Sequence, residues 1–367
     1  MELSIDGEQV FQQNISSFTF AESRSILIHT DYQTAQKKGQ RFVKMYVDNG
    51  NGLPFYKTGD TKGVLNITAD SLHQIQINLW DIYNNNRQVT FDIQGELPRD
   101  QIQLGSYRDA SRLDHYLMGN NLVIEAPGNH EDPCAYVFSR RMRYQLDAAY
   151  RINKTAIFLW DMAQGLPDSL HYGDQTLTFG YKAVMPGASS FNYYGDLIEV
   201  KAPARALFDT VYLTYNHKVD SVKNLEKFTV CEDIYPIRRN INIVLKPKLD
   251  YADRERSGVY ALDKRGNPSY IGGKWEGGAI SFKTRNWGIY TIMSDTLKPT
   301  VKPLILNKDQ LVFRIDDKLS VINEYELHLD GQWILMNYDY KKKLIRSEKL
   351  DTSQSFNGKL ELKVTDN

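Results

Sequence analysis

Cysteine is nearly absent from this chain: Cys134 and Cys231 are the only two among 367 residues. That is too few for a disulfide framework, and the sequence leaves open whether the two pair. No apolar run approaches the roughly 18 residues a membrane-crossing helix requires, so no span is expected. The first residues include Glu2, Asp6 and Glu8 and lack the basic and then apolar regions of a signal peptide. An excess of either charge is missing too. Forty-five Lys and Arg stand against 45 Asp and Glu, interspersed, which leaves no electrostatic footprint for nucleic acid or an anionic membrane.

The motifs of common catalytic chemistry are also lacking. The seven histidines, at positions 29, 73, 115, 130, 171, 217 and 328, form no His-x-His, His-x-x-x-Asp or His-Glu-x-x-His pattern, so the close ligand spacing of a zinc hydrolase is absent. The densest group of potential ligands, His130-Glu131-Asp132-Pro133-Cys134, reads as a polar loop. No Gly-x-Ser-x-Gly elbow occurs, and neither cysteine has a catalytic flank, so both read as structural thiols. Gly272-Gly273-Lys274-Trp275-Glu276-Gly277-Gly278 matches no phosphate-binding pattern and reads as a glycine-rich hairpin or bulge. We therefore expect no catalytic residue, resident cofactor or metal site in this chain, and no ligand-binding residue is assigned.

What is abundant is strand chemistry. Aromatic residues make up 12% and hydrophobic residues 41%, and apolar positions recur at period two: Ile75, Ile77 and Leu79; Val89, Phe91 and Ile93; Leu327, Leu329, Ile334 and Met336; Leu360, Leu362 and Val364. Turn signals such as Asp6-Gly7 and Asp330-Gly331 close these runs, and long helical periodicity is missing. The expectation is an all-β chain with little helix.

Two internal repeats divide it. Leu3-Ser-Ile-Asp-Gly-Glu-Gln-Val-Phe11 matches Leu327-His-Leu-Asp-Gly-Gln-Trp-Ile-Leu335, each predicting a strand, an Asp-Gly turn and a return strand. A strand closing on an acidic turn recurs at Asp81, Asp161, Asp295 and Asp366, where the carboxylate can accept backbone N–H bonds. The chain is too long for one core. With proline-bearing junctions as boundaries, the prediction is four immunoglobulin-like sandwich modules in tandem, over residues 1–97, 98–186, 187–297 and 298–367. Comparing the end modules predicts that each lacks strands: the first has nothing matching residues 304–326 of the last, and the last has no match for the strand at Gln88 to Ile93.

Two weaker site signals remain. Asp81 to Asn86 and Asp316-Asp317 place oxygen ligands suited to calcium in turns near module ends, although solvated turns are the favoured reading. Trp275, Trp287 and Tyr290 are candidates for a sugar-stacking platform, with core packing the favoured reading; Trp80 and Trp160 read as packing positions.

Several segments resemble the C-terminal β-rich region of lysostaphin-type (LytM-like) zinc endopeptidases of Gram-negative envelopes. They are Leu3-Ser-Ile-Asp-Gly-Glu8, Phe18-Thr-Phe-Ala-Glu-Ser-Arg24, His29-Thr-Asp-Tyr32, Gly272-Gly-Lys-Trp275, Trp287-Gly-Ile-Tyr-Thr-Ile292, Asp295-Thr-Leu-Lys-Pro299, Asp330-Gly-Gln-Trp-Ile-Leu-Met-Asn-Tyr-Asp339 and Leu362-Lys-Val-Thr-Asp366. The family's zinc ligands have no counterpart here, so none is carried over, and zinc belongs to a peptidase domain expected upstream. The resemblance implies a periplasmic or cell-surface setting and a non-catalytic region that positions, regulates or docks a peptidoglycan endopeptidase. Its partners would be that peptidase domain, peptidoglycan or an envelope protein. The competing expectation is an independent adhesin or glycan-binding array.

Overall fold

A computed structural model describes residues 1–97, 99–128, 134–220, 222, 224–350 and 355–366. The chain is 51% strand and 5% helix, arranged in several separate sheets, none of them closed. The all-β expectation thus holds, and along the chain the sheets fall into four groups.

The first group is a single antiparallel sheet in the order Tyr56–Thr58, Glu8–Gln13, Glu2–Ile5, Leu72–Trp80, Asn86–Gln94. Its opening hairpin turns on Asp6 and Gly7, whose φ values of 51° and 83° give the two left-handed positions a tight, right-twisted hairpin needs. One face buries Leu3, Phe11 and Ile75 beneath Met45, Val47 and Leu65. That face continues to Val89 and Phe91, which pair with Ile77 and Ile75 yet remain 44% and 43% exposed. Among the described residues, then, the expected sandwich over residues 1–97 has one sheet rather than two.

Between Glu8–Gln13 and Tyr56–Thr58 the chain leaves the sheet through short helical turns, Phe20–Ser25, Ile26–His29 and Tyr32–Lys38. The first begins at Thr19, whose backbone N–H and hydroxyl donate to Glu22 Oε2 at 2.7 and 2.8 Å. The last is capped by Asp31, which accepts from Thr34 N at 3.0 Å, and ends at Gly39 with φ 69°.

The second group is a sandwich. Met142–Asp147, Cys134–Ser139, Ser169–Tyr172 and Gln175–Thr178 form one sheet; Gln101–Ile102, Tyr150–Ile152, Thr155–Asp161, Asn121–Pro127 and Asp114–Met118 form the other. Ile124, Phe158, Trp160, Leu170 and Tyr172 share the core.

The third group holds the largest core. A six-stranded sheet, Tyr181–Met185, Val211–Asp220, Leu225–Val230, Gly288–Ser294, Ser257–Leu262 and Pro268–Gly272, shares that core with a five-stranded one, Phe191–Tyr194, Ile198–Ala202, Ile241–Leu245, Ala279–Thr284 and Lys274–Glu276. The chain passes from the first of these sheets to the second at Gly272 and Gly273, whose φ values are 92° and 145°, while Gly277-Gly278 makes the hairpin turn that follows. Tyr181–Met185 pairs with Val211–Asp220, from Tyr181 opposite Thr214 to Met185 opposite Val211. The junction predicted at Met185-Pro186-Gly187 therefore lies inside the third group, and the change of sheet falls near Gly180. Proline there ends an edge strand, where its missing N–H leaves no ladder bond unmade.

The fourth group comprises Thr300–Leu306, Leu311–Asp316, Leu344–Ser347 and Met336–Asp339 in one sheet and Gln332–Ile334, Ile322–Leu329 and Leu360–Asp366 in the other. Asp330 and Gly331, at φ 48° and 83°, repeat the opening hairpin turn, as the sequence repeat predicts.

Candidate functional site

The first three groups meet around a cleft of about 1050 Å³. The short helix Tyr32–Lys38 forms one wall, the edge strand Asp114–Met118 of the second sandwich another, and the third sandwich supplies the floor with Tyr181, Tyr212, Tyr215 and Tyr235.

Polar bonds hold these walls together. Arg24 donates through Nη2 to the carbonyls of Ile237 at 3.0 Å and Arg285 at 2.9 Å, and through Nε to Ile237 at 3.2 Å. Tyr32 donates to Asp233 Oδ1 at 3.3 Å, and Lys264 Nζ to the Gln36 carbonyl at 3.0 Å. In the opposite direction Arg238 donates to the Gly50 carbonyl, with its guanidinium 4.5 Å from the centre of the Phe208 ring. Gly50 is required by this approach, since any Cβ there would collide with the Phe208 carbonyl oxygen. Between the second and third sandwiches, Tyr212 donates to Asn120 Oδ1 at 2.9 Å.

The cleft is largely aromatic inside, with the half-buried Asp31 carboxylate at the wall formed by Tyr32–Lys38. Phe179 and Tyr181 stack with centroids 6.1 Å apart and planes 21° apart, and His115 meets Phe179 edge-on at 5.1 Å. Burial pushes the Tyr181 phenol up to about 12, with Glu232 adding to the shift, and raises Tyr116, Tyr212 and Tyr235 in the same direction. Burial also lowers His115, whose Nδ1 is buried without a partner. These groups are therefore neutral phenols and a neutral imidazole, while Lys37, Lys38, Asp114 and Glu232 stand exposed around them. Such a lining offers ring faces and hydroxyl donors, which suits a neutral polar ligand or an extended segment of a partner.

Cys231 belongs to the same region but is 3% exposed, and burial pushes its thiol up to about 12. It is a protonated core thiol, as expected. No disulfide joins it to Cys134, which begins a strand of the second sandwich.

The other residues singled out in the sequence lie apart. Trp287 and Tyr290 are 3% and 1% exposed in the core of the third sandwich, so no sugar platform forms with Trp275. Trp275 itself donates Nε1 to the Ser257 carbonyl at 2.8 Å, packs against Tyr251 with the rings tilted by 43° and lies beneath the Arg254 guanidinium. Trp160 is buried as expected. Trp80 is not: it is 36% exposed at the end of Leu72–Trp80. Asp81 spends both carboxylate oxygens on its own turn, taking Tyr83 N at 2.8 Å, Asn85 N at 3.0 Å and Asn85 Nδ2 at 2.8 Å. Asp316 pairs with Lys343. Asp317 Oδ2 is buried without a hydrogen-bond partner. Of the polar loop, His130 to Pro133 lie outside the described residues.

Comparison with known proteins adds one point. Residues 182–295 match the family model of a Zu5-like domain. The match covers nearly the whole third sandwich but less than half of the chain. No curated protein matches the sequence.

Proposed function

We propose that this chain is a non-catalytic arm that positions or docks its partners, in the setting its family resemblance implies: the accessory region of a peptidoglycan endopeptidase at the bacterial envelope. The observation that carries this reading is the polar clamp between the segment that leaves the first sheet, residues 20 to 50, and the third sandwich. Arg24, Tyr32, Arg238 and Lys264 reach across in both directions. An arm that transmits position must resist bending between its parts, and bonds made to backbone carbonyls fix geometry more firmly than flexible surface pairs do. The cleft beside the clamp is where a partner segment would dock.

The test is co-sedimentation of the purified chain with isolated peptidoglycan, together with binding to a lysostaphin-type peptidase domain encoded upstream. Binding to either, weakened by Tyr181→Ala or Tyr235→Ala, supports the reading. Binding to neither, or release of soluble fragments from peptidoglycan by this chain alone, overturns it.

The largely aromatic lining of the cleft also favours a second reading, an independent glycan-binding or adhesive array. Saturable binding of free oligosaccharides in the cleft, with no affinity for a peptidase domain, would select that alternative.

A further inference from the structure

Two of the four acidic strand ends found as a sequence repeat come together between the third and fourth sandwiches. Asp295 follows Gly288–Ser294, and Asp366 ends Leu360–Asp366. Asp317, just beyond Leu311–Asp316, joins them, and one carboxylate oxygen from each of the three lies within 4.8 Å of the others.

The turns engage one oxygen of two of these carboxylates and leave the other without a partner. Asp295 uses Oδ1 to accept Leu297 N at 2.9 Å, and Asp317 uses Oδ1 to accept Leu319 N at 2.8 Å and Ser320 N at 2.7 Å. The second oxygen of each, Oδ2, is buried and has no hydrogen-bond partner. Asp295 as a whole is 6% exposed. Among the described residues none of the three carboxylates makes an ion pair. A buried carboxylate oxygen without a donor is rare, because nothing offsets its lost hydration, and three like charges this close repel one another. The Tyr260 hydroxyl, 1% exposed and also unpartnered, lies in the same field: burial, then Asp295, push its ionisation up, and Asp317 adds to the effect. The exposed repeat member Asp161 shows the contrast, since it makes the same turn through Ala163 N while water can reach its carboxylate.

We propose that Asp295, Asp317 and Asp366 bind a divalent cation of the calcium class that ties the third sandwich to the fourth. The donors are all hard oxygens, which suit calcium or magnesium rather than zinc or copper. Calcium tolerates an irregular set of carboxylates completed by carbonyls and water, whereas magnesium demands a near-octahedral shell that two turns and a strand end from two modules are poorly placed to build. Because the ligands come from both sandwiches, bound ion stabilises their contact and couples their unfolding.

The test uses the full chain stripped with chelator and titrated with calcium chloride, followed by calorimetric melting and isothermal titration. The expected result is saturable binding at one site, with a melting transition that rises as calcium is added. Asp295→Asn and Asp317→Asn should each weaken the affinity on the order of tenfold or more, since each removes a charge from the ligand set. Asp263→Asn, in a self-satisfied turn with Asn267, should leave it unchanged. Where a core variant fails to fold, Asp366→Asn on the half-exposed ligand supplies the same comparison. Absence of calcium binding, equal or tighter binding of magnesium, or a calcium shift that survives all three substitutions overturns the proposal.

Discussion

The first sheet and the third sandwich are made from the same alternating strands, yet among the described residues 21 buried hydrophobic side chains form the core of the third and three form that of the first. The difference lies in what covers each apolar face. In the third sandwich Val200, Ile243 and Phe282 of one sheet share a core with Val230, Tyr290 and Ile292 of the other. In the first, loops bearing Met45, Val47 and Leu65 cover the buried part of the face, and it stays open at Val89 and Phe91. A partly covered sheet is marginal alone. The clamp through Arg24 and Arg238 therefore does more than orient the first sheet: it ties a weak unit to a strong one.

The sharpest test of that contrast lies at a buried carboxylate in the strong unit. Glu226, fully buried, holds His217 Nε2 at 2.5 Å and accepts Lys248 N at 2.8 Å and Leu249 N at 3.2 Å. Glu226→Ala leaves Lys248 N, Leu249 N and the His217 ring without their acceptor and should destabilise the third sandwich by about 3 to 5 kcal/mol in denaturant titration, at about 1 to 3 kcal/mol for each buried group left unpaired. A matched pair of core truncations comes next. Ile243→Ala, in a closed core, should cost about 3 to 4 kcal/mol, while Ile75→Ala, beside an open edge that can relax, should cost about 2. Equal losses would mean that the first sheet is better covered than its exposed residues indicate. Arg24→Ala follows, with an expected loss of about 1 to 3 kcal/mol from unpaired carbonyls. Hydrogen exchange should place that loss in the first sheet and leave the third sandwich protected, the signature of a dependent unit.

Much of this was legible in the chain. Period-two alternation located strands such as Leu72–Trp80 and Asn86–Gln94, and Asp6-Gly7 and Asp330-Gly331 turn as their residue types require. Tyr32–Lys38 was missed because it buries no residue and so carries no apolar stripe. Its caps, Asp31 and Gly39, stood in plain view, and reading caps before periodicity would have found it. Pro186 misled because proline ends edge strands as readily as it begins linkers. The cleft and the acidic cluster are of another kind: they join residues from separate modules, and no spacing along the chain encodes how sandwiches stack. What the repeat did supply was the position of Asp295 and Asp366, before their meeting was visible.

The smallest effect expected is the pH response that His29 gives the weak unit. His29 is 6% exposed, with Nδ1 2.9 Å from the Tyr56 hydroxyl and its ring edge-on to Phe55 at 5.8 Å. Burial holds its imidazole below the ordinary value, so the folded protein keeps it neutral where the unfolded chain accepts a proton, at about pH 6.5. Below that pH the unfolded state binds more protons, and stability must fall with pH until the folded imidazole also titrates. Moving from about pH 7.5 to about pH 5.5 should therefore lower the hydrogen-exchange protection factors, taken relative to the intrinsic rate at each pH, in Tyr56–Thr58, which holds the ring's partner, and in Glu8–Gln13, which pairs with it. His29→Gln has no proton to take up in this range and should flatten the response while retaining a partner for Tyr56. An unchanged profile in that variant would move the pH sensitivity away from His29 and leave its burial without a thermodynamic consequence.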